Sequence, residues 1–136
     1  MKRFVSLFVF VCVYAISFAQ VPLIATLQHN DTISAFYGSN AFVEAHAAAS
    51  HGDIITLSSG EFNACDITKA ITLHGAGCIY NPETNSLPTK IVGNFSLNIP
   101  SDTTSLIMES IMFTGEIGNR NVLYFPQFIK CNINYF

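Results

Sequence analysis

Beyond position 20 the chain alternates short apolar bursts with clusters of Gly, Ser, Asn and Asp, and the bursts predict its elements. Val21 to Leu27 and Thr32 to Tyr37 read as β-strands joined by the turn-forming His29-Asn30-Asp31. Ala41 to Ser50 (AFVEAHAAAS) is the one helical stretch, rich in the best helix-forming residue. Phe42, Ala45, His46 and Ala49 fall at i, i+3, i+4 and i+7 and so share a face. Gly38-Ser39-Asn40 offers the N-cap, and Gly52 closes the stretch as a C′ residue. Everything after Gly52 is short strands and turns. Ile54-Ile55-Thr56-Leu57, Ile71-Thr72-Leu73-His74, Ile91-Val92 and Phe95 to Ile99 are β-prone, with a polar loop over Asn81 to Pro88. Leu106, Met108, Ile111 and Phe113 alternate around a corner at Glu109-Ser110, and Ile129, Cys131 and Ile133 repeat the alternation.

Moving Leu106, Met108 and Ile111 forward by about 22 residues reaches Ile129, Cys131 and Ile133, a period typical of a stacked β-repeat. One repeat cannot bury its apolar side chains alone, but stacked repeats align like over like. The expected class is all-β: a right-handed parallel β-helix, or solenoid, of about four coils, ending before the repeat is finished. Residues 20–40 form an N-terminal β extension. Residues 41–136 form the β-helix, with a capping helix over 41–50 that covers the open first coil.

The same residues carry a resemblance. AFVEAHAAASHGDIITLSSGEFN followed by ITKAITLHGAG resembles the opening of right-handed parallel β-helix proteins of the pectate-lyase-like superfamily, of the secreted Bacteroidetes type. The matching features are the Gly52-Asp53 turn, Ile55-Thr56-Leu57, Gly60-Glu61-Phe62, Ile71-Thr72-Leu73 and the Gly75-Ala76-Gly77 exit. SLIMESIMFTG is similar to a later coil, with Ser110 at a corner where such proteins usually have Gly. The resemblance implies a carbohydrate context, with polysaccharide as the partner.

Composition divides the chain in two. Half of the 136 residues are hydrophobic and 11% are charged, with a mean hydropathy of +0.40. Met1 to Ala19 alone holds 15 of the hydrophobic residues, which leaves roughly 45% apolar in the rest, ordinary for a globular domain. Lys2 and Arg3, the apolar run Phe4 to Ile16 and the small residues Ser17 and Ala19 read as a signal peptide over 1–19, cleaved between Ala19 and Gln20. The expected location is therefore secreted: periplasmic, cell-surface or extracellular. No other stretch is apolar for long enough to cross a membrane as a helix. After cleavage Lys69, Lys90, Arg120 and Lys130 face nine carboxylates, a net charge of −5 that speaks against nucleic acid as a partner.

Cys65, Cys78 and Cys131 survive cleavage. Cys65 and Cys78, each just beyond an expected strand, are the candidate disulfide. Neither a metal nor a cofactor is expected, because no Cys-x-x-Cys or His-x3-His pattern occurs. No catalytic residue is assigned. Asp53, Asp66, Asp102, Glu109 and Glu116 are scattered at turns and corners, where carboxylates commonly accept backbone N–H bonds. His29, His46, His51 and His74 read as structural, and Lys69 and Arg120 as solvated cations. The expected function is a secreted β-helix scaffold or carbohydrate-interacting module without its own catalytic site, with end-to-end self-association through the strand-like Asn134-Tyr135-Phe136 end. The alternative is the N-terminal fragment of a polysaccharide lyase or glycoside hydrolase whose active coils lie beyond residue 136.

Overall fold

The computed structural model describes residues 22–84, 86–99, 105–122 and 126–133, the side chains of 119–122 excepted. The apolar leader, its Ala19–Gln20 boundary, Asp102 and the Asn134-Tyr135-Phe136 end lie outside the described residues.

The chain opens with a hairpin. Strands β1 (Ile24–His29) and β2 (Thr32–Tyr37) pair antiparallel from Ile24↔Tyr37 to His29↔Thr32. Asn30 takes the left-handed backbone (φ 52°) that a tight turn requires and that Asn tolerates better than most residues. Helix α1 (Ala41–Ala48) follows, shorter than the expected 41–50 because Ala49 is already extended (φ −68°, ψ 159°). Phe42, Ala45, His46 and Ala49 are all buried, as is Ala41. Asn40 precedes the helix without capping it, since its Oδ1 accepts the Asn63 side-chain N–H instead.

Ten short strands complete the described fold: β3 (Ile54–Leu57), β4 (Gly60–Asn63), β5 (Thr72–His74), β6 (Thr89–Val92), β7 (Phe95–Ile99), β8 (Ile107–Glu109), β9 (Met112–Phe113), β10 (Ile117–Val122), β11 (Gln127–Ile129) and β12 (Asn132–Ile133). They assemble into three sheets, ordered β11-β8-β5-β3-β1-β2, β12-β9-β6-β4 and β10-β7. Parallel register superposes the inward residues. Ile55 lies beside Leu73, Leu73 beside Met108, and Met108 beside Phe128. In the second sheet Phe62, Ile91, Phe113 and Ile133 succeed one another in the same way. Phe113 also meets Phe95 at 5.6 Å and Phe128 edge-on at 5.9 Å between ring centroids, so the columns share one core. Each fully buried side chain of this size stabilises the fold by about 1.5–3 kcal/mol.

These pairings correct the expected class. Over the described residues the fold is mixed α/β, with mostly parallel short strands and one helix, rather than an all-β right-handed parallel β-helix. Three findings separate the two. β1 joins both its neighbours antiparallel. Helix α1 is an integral packing element, with Phe42 and Ala45 in the common core. Nor is there a fixed period: Ile54 pairs with Thr72, Thr72 with Ile107 and Ile107 with Gln127, separations of 18, 35 and 20 residues. The 20-residue step also moves the apolar register from the expected 22. Phe128 takes the inward place beside Met108, and Ile129 lies outward beside Glu109, 39% exposed.

The layers approach closely where side chains are smallest. A Cβ on Gly115 would run into the Gly93 carbonyl and the Asn94 nitrogen, backbone atoms that cannot swing away. Gly115→Ala should therefore lower stability in urea unfolding by about 1–3 kcal/mol, as overpacking does. Gly118→Ala meets nothing closer than 3.7 Å and should change stability by less than about 0.5 kcal/mol in the same assay.

Candidate functional site

The segment after β5 leaves the sheet, and two polar joints hold its path. The buried Thr89 hydroxyl accepts the Ala76 N–H at 2.7 Å and donates to the Ser58 carbonyl at 2.9 Å. Farther out, Asn81 and Ser86 exchange backbone bonds at 3.1 Å, and Asn81 Oδ1 accepts the Glu83 N–H. Ser110 and Lys130, the corners after β8 and β11, both take left-handed backbone (φ 61° and 50°), and the Ser110 N–H donates to Ile129 O. A non-glycine residue there costs about 1–2 kcal/mol, and the strand pairing on both sides holds it in place.

Between that segment and those corners runs an open groove made of two adjoining hollows. The larger, about 660 Å³, is lined by Cys78, Ile79 and Lys130–Ile133. The smaller, about 420 Å³, extends past Tyr80, Asn81 and Pro82 to Ser110. Ile79 is 73% exposed and Tyr80 47%. The groove thus offers an apolar side chain, a phenol ring, a side-chain amide and an exposed ammonium, a combination that can stack on and hydrogen-bond to a polyol.

The residues singled out in the sequence lie elsewhere. Asp53 accepts the Ser50 N–H at 2.7 Å, and both its oxygens meet His29 Nδ1, at 2.8 and 3.0 Å. His51 turns away, its Nδ1 accepting the Ala70 N–H. Asp66 accepts the Ser96 N–H. His74 and Glu109, neighbours in register, approach at 3.2 Å on the outer face of the first sheet. Lys69 is not a solvated cation: its ammonium donates to His46 O at 2.7 Å and Ala47 O at 2.8 Å. It therefore satisfies two carbonyls at the end of α1, where positive charge suits the helix dipole. Glu116 donates its N–H to Asn94 Oδ1. The Arg120 side chain lies outside the described residues.

The expected pair Cys65 and Cys78 is not bonded, and Cys131 is free as well. Burial, reinforced by Asp66 and opposed by Lys69, pushes the Cys65 thiol up to about 11. Cys131 is also raised, first by burial, and its S–H donates to Met108 O at 3.3 Å. Among the described residues no cluster of His, Cys, Asp and Glu could hold a metal ion, and no helix is long and apolar enough to cross a membrane. The groove itself was missed in the sequence. Its signal was Ile79-Tyr80, an apolar pair in a loop between Gly77 and Pro82 with no strand pattern to bury it.

No protein-family model matches the chain, and neither a curated protein nor a solved structure does.

His46 gives the folded protein an acid-sensitive joint. Its ring is buried and Nε2 accepts the Thr68 N–H, which requires the neutral form. Burial first, and the Lys69 ammonium second, bring its pKa down from 6.5 to about 4. Above pH 6.5 the imidazole is neutral in both folded and unfolded chains. Below that the unfolded chain takes the proton first, so stability falls as pH drops toward about 4, by up to about 3 kcal/mol. Urea unfolding at pH 7 and pH 4.5 should show this loss, and His46→Gln should remove that part of the pH slope.

Proposed function

We propose that this chain is an exported, non-catalytic module that contacts polysaccharide through the groove beside Tyr80. The observation that carries the reading is the groove's composition: a half-exposed Tyr80 next to Asn81, with Lys130 lining the same hollow. An aromatic ring gives a sugar a flat apolar face, an amide gives it donors and acceptors, and a lysine favours acidic residues of the polymer. The resemblance of residues 41–136 to the pectate-lyase-like superfamily, whose enzymes act on acidic or neutral polysaccharides, supports the same ligand class. Export rests on the charged, apolar and small-residue pattern over 1–19.

Two measurements test the reading. Expressed from its own start codon in a Gram-negative host, the protein should be recovered from the periplasm or medium with Gln20 as its first residue. Recovery with Met1 retained would count against export. The mature chain should bind uronate-containing or neutral oligosaccharides in calorimetric titration. Tyr80→Ala should weaken binding more than about tenfold, the loss of one buried aromatic anchor, with circular dichroism unchanged. Lys130→Gln should weaken binding to acidic oligosaccharides alone. Absence of binding across the panel, or release of unsaturated uronate by the chain itself, would sink the proposal.

A further inference from the structure

The larger hollow brings together two cysteines that the sequence holds 53 positions apart. Cys78 stands on the loop wall. Cys131 stands on the other side, delivered there by the left-handed corner at Lys130. Both are free, and both are neither fully buried nor fully exposed. The Cys131 thiol points back toward Met108 O and Ile129 O rather than out to solvent. Lys130 and Ile79 line the same hollow beside the two cysteines. The charge of Cys78 also contributes to raising Cys131, as expected for two thiols that sense each other. Cys65 lines neither hollow and interacts instead with Asp66 and Lys69.

We infer that Cys78 and Cys131, rather than Cys65 and Cys78, form an intramolecular disulfide when the protein meets a small-molecule or protein disulfide oxidant. One thiolate attacks the oxidant's S–S bond, giving a mixed disulfide and releasing one thiol. The second thiolate then displaces the remaining half. Two protein S–H bonds are replaced by one S–S bond, the oxidant's S–S bond is reduced, and both protons leave on its two thiols. The link tethers the Gly77–Pro82 wall to the β11–β12 corner. Cys78 lines both hollows and Cys131 only the larger, so the link borders the proposed sugar contact without using Tyr80 or Asn81 and does not depend on that reading.

Trypsin cuts after Lys69, Lys90 and Lys130 and so places the three cysteines on three different peptides. The reduced chain beginning at Gln20, which lacks Cys12, is incubated with oxidised glutathione, alkylated with iodoacetamide, digested and mapped by mass. The expected result is loss of two alkylation sites, a linked peptide joining Cys78 to Cys131, and an alkylated Cys65. Cys65→Ser should give the same linked peptide, and Cys131→Ser should give none. Alkylation of all three cysteines, glutathione adducts without an internal bond, or a link that includes Cys65 would each overturn the inference.

Discussion

The controlling constraint is that no strand here can satisfy its own backbone. Strands of two to six residues present N–H and C=O groups that only a laterally neighbouring segment can pair. Parallel pairing aligns residues of like position, so each new strand must offer an apolar side chain where its predecessor did. Ile55, Leu73, Met108 and Phe128 meet that demand in one sheet, and Phe62, Ile91, Phe113 and Ile133 in the next. The open side of the first column is closed by Leu27 of β1, opposite Ile55, and by the Phe42 and Ala45 face of the helix.

Polar groups enter this interior only where they are fully engaged. Thr89 is wholly buried and uses its hydroxyl both as donor and as acceptor. Asp53 gathers a backbone N–H and a histidine, and His46 accepts from Thr68. Lys69 shows how one long side chain can replace a missing helix cap, reaching the carbonyls that Gly52 was expected to close off. Among the described residues no buried side-chain nitrogen or oxygen is left without a partner, as expected where an unpaired group would cost about 1–3 kcal/mol.

Local pattern was legible in the sequence and long-range bookkeeping was not. Thr32–Tyr37, Ile54–Leu57 and Phe95–Ile99 emerge as strands with the boundaries that their composition suggests, and the helix buries the four residues its spacing selects. The class and the register failed for a common reason. Alternation cannot say how many residues a connection consumes: it is Phe128, not Ile129, that arrives beside Met108. Nor can alternation distinguish an antiparallel partner from a parallel one, which is why β1 went unrecognised as the element that breaks the repeat. Sequence proximity does not give Asp53 its partner either: His29, 24 residues away, reaches it, while the nearby His51 accepts the Ala70 N–H. The groove was hidden because it joins a loop and a corner that no motif links.

The unequal distances between paired strands carry a consequence for how the protein can change. Pairing asks only that successive strands arrive side by side, and it is indifferent to the length of chain spent in between. The 35 residues from Thr72 to Ile107 include the whole Gly77–Pro88 excursion, yet the columns on either side of it remain continuous. Lengthening such a detour costs only about 0.6 kcal/mol per doubling in closure entropy. The segment that shapes the groove can therefore change in length while the columns beneath it stay paired.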